Sequence, residues 1–145
     1  MASFIYTHAK AEILKGNIDL VNDDIRVLLV MTNTTADTEK DVDDIDELTT
    51  LDEMDGANYA RKALTGEAVS EDEANDRGEF DADDVTWSAL GDGTRQIAAA
   101  IVYKFVTDDT DSIPIAYIDD SPYPLDPGGA DHVIQWNAEG IIQAT

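Results

Sequence analysis

The chain has no cysteine, so disulfides, thiolate metal sites and thiol nucleophiles are excluded together. A zinc site would have to rest on His8, His132 and carboxylates, and their spacing suggests none. Basic residues are scarce as well: nine lysines and arginines stand against 32 acids, a formal net charge of −23. Such a chain is repelled by phosphate backbones, which argues against direct nucleic-acid binding. It is equally ill suited to an anionic membrane surface. No apolar run approaches the roughly 20 residues of a membrane-spanning helix. The opening MASFIYTHAKAEILKG lacks a basic stretch followed by a long apolar core and does not read as a signal peptide. A soluble protein made in the cytoplasm is the expectation.

What is present is enough for one ordinary core. The 145 residues are 43% hydrophobic, and the apolar residues run through both halves, so residues 1–145 read as a single domain. THAKAEILK (7–15) reads as a short helix, with Thr7 as N-cap, Ala9, Ile13 and Leu14 on one face, and Gly16 as a left-handed C-terminal cap. IRVLLVMT (25–32) suits a buried strand. The next stretch changes character. Residues 34–56 carry ten acids between Asp37 and Asp55, which predicts an exposed loop with a helical turn near Ile45 to Met54. Its apolar residues Val42, Ile45, Leu48, Leu51 and Met54 recur every third position, so one side can rest on the body.

ANYARKAL (57–64) and EAVS (67–70) read as strands bent around Thr65-Gly66, followed by a second acidic loop at 70–79. FDADDVTWSAL (80–90) reads as one strand with a bulge at the phase change around Asp83-Asp84. QIAAAIVYKFVT (96–107) and SIPIAYID (112–119) flank DDTD as a hairpin. SPYPLDPGG (121–129) is an irregular loop, and HVIQWNAEGIIQAT (132–145) gives two last strands. The sum is a mainly β chain, an antiparallel β-sandwich of about seven to eight strands with one short N-terminal helix.

Chemistry is harder to find. Asp81, Asp83 and Asp84 lack the glycine and the distant glutamate of a calcium loop. Solvated strand decoration is the plainer reading, a weak calcium or magnesium site the alternative. Asp108, Asp109 and Asp111 fit turn capping. The serines lie in no nucleophile elbow, no glycine loop carries a phosphate-binding lysine, and the acids show no apolar setting for a paired-carboxylate mechanism. No catalytic residue and no cofactor is assigned. Asn33-Thr34-Thr35 matches the short glycosylation pattern. Trp87, Trp136, Tyr103 and Tyr117 read as packing residues. Phe4, Ile5 and Tyr6 at the N-terminus, and Tyr123 and Leu125 in the proline loop, read as candidate partner contacts.

GANYARKALTG (56–66), FDADDVTWSALGDGTRQIAAAIVYKFVT (80–107), DSIPIAYID (111–119) and IQWNAEGIIQAT (134–145), with the opening thirty residues, resemble a family of small head-associated structural proteins of tailed viruses of bacteria and archaea. The resemblance covers nearly the whole chain and carries no catalytic motif. It implies a capsid decoration (cement) protein on the outside of the shell, with the major capsid protein as partner and a homotrimer as the simplest assembly. The acid density of residues 37–55 and 67–84 departs from the family's pattern. A virus of a salt-loving host would explain it, as would a solvated acidic surface or one facing a basic partner. Two other readings stay open: a tail, neck or turret component, and a Ca²⁺-dependent carbohydrate-binding module using Asp81, Asp83, Asp84 and an aromatic. A hydrolase built on carboxylate pairs is a third.

Overall fold

IRVLLVM and IAAAIVYK offer water almost no polar side chains, and both are buried along nearly their whole length. A run without alternation needs cover on both faces, and the rest of the chain is arranged to supply it. The structure, a computed structural model, describes residues 3–145. In chain order it holds β1 (Phe4–Ile5), α1 (Thr7–Lys15), β2 (Ile25–Met31), β3 (Lys62–Ala63), β4 (Ala68–Asp72), β5 (Arg77–Asp81), β6 (Val85–Trp87), β7 (Ile97–Lys104), β8 (Ile113–Ile118), β9 (His132–Ile134) and β10 (Ile142–Ala144). The fold is mainly β and sandwich-like, with antiparallel pairing in every ladder. A five-stranded sheet runs β1-β8-β7-β2-β3, a three-stranded sheet β10-β5-β4, and a two-stranded sheet β6-β9. One hydrophobic cluster joins them, from Tyr6 and Ala9 through β2, β7 and β8 to Phe80, Trp87, Trp136 and Ile141.

The predicted helix forms over its predicted span, and Gly16 closes it at φ 77° with its N–H on the Glu12 and Ile13 carbonyls. A residue with a Cβ is strained in that left-handed region. Two details differ from expectation. Thr7 is the first helical residue rather than the cap, and Tyr6 stands at the N-cap without a side-chain hydrogen bond. Leu14 points to solvent, 88% exposed, while Glu12 is buried in its place. The Glu12 carboxylate gathers Lys15 Nζ at 2.6 Å and Asn17 Nδ2 at 2.7 Å, which makes its burial tolerable.

The acidic segment is a strap held down at intervals. Val42, Ile45, Leu48 and Met54 are buried and Leu51 packs beside them, as the three-residue recurrence predicts, and a single 3-10 turn forms at Ile45–Glu47. Tyr6 Oη donates to the Ala36 carbonyl at 2.9 Å, and Thr7 N–H donates to that of Lys40. Further on, Ile45 N–H reaches the Ser112 carbonyl, Asp46 N–H that of Asp109, and Met54 N–H that of Leu29.

ANYARKAL is not a strand along its length; only Lys62–Ala63 pairs with β2. The reason lies in where its polar side chains go. Tyr59 Oη accepts from Leu29 N–H at 3.1 Å and donates to Glu53 Oε1 at 2.7 Å. The Arg61 guanidinium forks onto Glu53 (Nε–Oε1 and Nη2–Oε2, both 2.8 Å) and onto Asp109 (2.5 and 2.9 Å). It also stands 5.4 Å from the centroid of Tyr103. This stretch is shaped by inward hydrogen bonds rather than by a ladder. Just before it, Gly56 lies so close to the Gly91 carbonyl that a methyl group there would overlap it.

FDADDVTWSAL is likewise two strands, not one with a bulge. At Asp83-Asp84 the chain leaves β5, paired with β10, and enters β6, paired with β9. Residues 77–87 and 132–144 therefore run alongside each other as one ribbon with a gap in its ladder. Trp136 fills the gap: its indole Nε1 donates to the Asp83 carbonyl at 2.8 Å, and its N–H donates to Asp84 Oδ1 at 3.1 Å. The last two strands, expected around Asn137 to Gly140, are present but belong to different sheets.

Arg61→Ala leaves Glu53 and Asp109 facing each other without their shared cation at a site only 22% exposed on the arginine side. We expect a loss of about 1–3 kcal/mol in urea unfolding. Arg61→Lys should recover less than half, because an ammonium cannot grip two carboxylates bidentately. A lysine variant as stable as the parent would show that charge alone suffices.

Candidate interaction site

Three of the five strands in the large sheet end at the same rim, and a cleft of about 360 Å³ opens there. Tyr117 and Asp119 reach it from the end of β8, Thr32 from just past β2, and Ala98 from the start of β7. The acidic strap adds Thr34 and Asp37, and the proline loop adds Tyr123 and Pro124. Tyr117 is only 4% exposed. Its ring stacks on Phe4 at 5.2 Å between centroids, and Phe4 meets Tyr6 edge-on at 5.1 Å. Lys40 Nζ rests 4.5 Å from the Phe4 centroid. Burial, reinforced by the charges of Asp37 and Asp119, pushes the Tyr117 hydroxyl up to about 12. Asp119 accepts from the Ser3 hydroxyl.

The candidate contact residues come partly together here. Phe4 and Ile5 form β1 opposite Tyr117 and Ala116. Leu125 forms an isolated bridge with Ile97, next to Ala98 of the cleft. Tyr6, expected as a contact, is fully buried, because its hydroxyl is needed to tie down the strap. Tyr123 is not the exposed anchor the sequence suggests either. It is half-buried, with its hydroxyl 3.0 Å from His132 Nε2. From there an aromatic series runs inward, His132 to Trp87 at 5.8 Å and Trp87 to Tyr59 at 6.4 Å. Trp87 Nε1 donates to the Ala60 carbonyl at 2.7 Å. Tyr117, Asp37 and Asp119 escaped the sequence reading. Tyr117 looked like any strand aromatic, and nothing local marks two acids that meet only through the fold.

Asp81, Asp83 and Asp84 do not converge. Asp81 ends β5, Asp83 accepts from the Thr65 hydroxyl at 3.1 Å, and Asp84 holds the Trp136 N–H. Among the described residues, no group of three or more histidine or carboxylate side chains could hold a metal ion. Asp108 and Asp111 take the turn-capping role, accepting from the N–H groups of Thr110 and of Thr107 and Asp108. Asp109 goes to Arg61 instead. The chain matches no protein-family model, no curated protein and no solved structure.

Burial holds the His132 imidazole below its usual range. A base depressed on folding binds fewer protons folded than unfolded, so its contribution is complete above the unfolded value of about 6.5 and is lost as pH falls. Melting curves should show stability declining from pH 7 to pH 5, and His132→Gln should flatten that decline. The hydrogen-bonded carboxylates act lower. Thr94 holds Asp55 down and Thr49 holds Glu39 down, so their contribution disappears only below about pH 4. A parent curve flat between pH 7 and 5 would rule out the histidine effect.

Proposed function

We propose that this chain is a virion structural protein, a capsid decoration (cement) protein that binds the outside of an assembled shell and stabilises contacts between its subunits. One observation supports the reading beyond sequence resemblance: Tyr123 lines an open cleft together with Tyr117, and Phe4, the other expected contact, stacks on Tyr117. A clamp needs a compact body with an accessible contact patch at one end. The rim of the large sheet offers such a patch, backed by strands that are buried on both faces. The major capsid protein is the partner, and a homotrimer is the simplest arrangement around a three-fold position. Symmetry multiplies a modest interface into useful avidity. The remaining acidic surface, Glu67 to Asp76 on the β4–β5 hairpin above all, keeps particles mutually repelling. At the salt of a halophilic host, that repulsion is screened to within about 3 Å at 1 M, and the dense carboxylates act instead to keep the surface hydrated.

Co-sedimentation with shells lacking this protein tests the reading, from low to multimolar salt, with stoichiometry taken from stained bands. Saturation near one copy per capsid subunit is expected. Binding at roughly a dozen copies per particle would move the protein to the neck, and no binding at any salt would overturn the decoration role and leave the tail or neck.

A further inference from the structure

Two features of the cleft stand out, beyond the bond that Asp119 accepts from the Ser3 hydroxyl. Asp37 and Asp119 have no lysine, arginine or histidine within 4.0 Å among the described residues, although six of the chain's nine lysines and arginines are paired elsewhere. The Tyr117 hydroxyl, on a side chain 4% exposed, lines the cleft and has no hydrogen-bond partner among the described residues. A hydroxyl that opens to a cleft from a largely buried side chain is held in place to bond a ligand there. Its neighbours state the sign of that ligand. Two exposed carboxylates beside Tyr117 and Tyr123 form a negative rim, where a cation gains from charge and from hydrogen bonding.

We propose that the cleft receives an arginine or lysine side chain presented by a protein partner, with Asp37 and Asp119 as its counter-charges and the Tyr117 hydroxyl as an acceptor. The partner's identity as the shell protein rests on the function proposed above; the cation specificity does not. The fold already seats cations on aromatic faces of its own, with Arg26 3.7 Å from the Phe105 centroid and Lys40 beside Phe4. A sugar would need a broad exposed ring to stack on, whereas the Tyr117 ring is stacked on Phe4 and Tyr123 is half-buried. Thr32, which also lines the cleft, offers a hydroxyl to the backbone of the incoming segment.

The full chain is titrated with an acetylated tri-arginine peptide by calorimetry at moderate salt, with the tri-citrulline peptide as a neutral match of the same shape. One site is expected for arginine and none for citrulline. Asp37→Asn and Asp119→Asn should each weaken the peptide about tenfold, and Tyr117→Phe about threefold, with melting temperatures near the parent's. Because a chain of this charge attracts any basic peptide, Glu73→Gln with Asp76→Asn serves as the control. These two exposed acids lie on the far hairpin, and their loss should change affinity less than twofold. Equal weakening in that control, or binding of citrulline as tightly as arginine, would overturn the site. So would an oligosaccharide that shifts the Tyr117 and Ala98 amide resonances where the arginine peptide does not. Shell binding separates the two ideas. Shells that bind the Asp37→Asn, Asp119→Asn double variant as tightly as the parent overturn the cleft's role and leave decoration standing. Peptide binding with no shell binding keeps the cation site and discards the shell as its partner.

Discussion

The fold hangs on a shortage of positive charge. Arg61 is one of nine basic residues facing 32 acids, and its position decides how the acidic strap is held. Through Glu53 it fixes the strap beside β2, and through Asp109 it fixes the β7–β8 connection to the same point. Tyr59 adds a third bond to Glu53 while accepting from the β2 backbone. The hydrogen bonds it donates to Glu53 and Asp109 hold the guanidinium's proton more firmly than in water. Without that clamp, the strap would be held against the repulsion of its neighbours by the Tyr6 hydroxyl, the Arg95–Asp52 pair, the Thr94–Asp55 bonds and backbone bonds.

Elsewhere the carboxylates find neutral donors. Asp19 accepts from Val21 and Asn22 N–H, Asp72 from Ala74, Asp92 from Gly128, and Asp131 from Ala89. Asp55 takes both the N–H and the hydroxyl of Thr94. These bonds pin loops by donors that every peptide unit carries, and they need no metal and few cations. An acid-rich surface of this kind is ordered chiefly through its own backbone.

The sequence spoke clearly wherever a pattern was local and unambiguous. The helix from Thr7 to Lys15, the long β7–β8 hairpin and the buried third residues of the strap all follow from periodicity. It misled where a side chain had two destinations. Tyr59 and Arg61 sit in a stretch with strand composition, yet their polar ends are drawn inward, and that draw outweighs the weak strand preference. The phase change at Asp83-Asp84 was visible, but a bulge and a change of sheet leave the same trace in one strand. The partner, Trp136, lies fifty residues away. The cleft was less legible still: Phe4 and Tyr123 were marked by position alone, while Asp37, Tyr117 and Asp119 meet only after the sheet has formed.

The gap that Trp136 fills divides the long ribbon into two registers that need not agree. Val85 faces Ile134 on one side of it, and Phe80 faces Ile142 on the other. Inside either ladder, adding one residue would turn every following side chain to the opposite face. Between them, the exposed turn Asn137-Ala138-Glu139 can change length at the cost of few bonds, chiefly those from Gln143 and Arg77 to Glu139. The molecule thus carries one place where its length is free to vary over descent, set between two places where it is not.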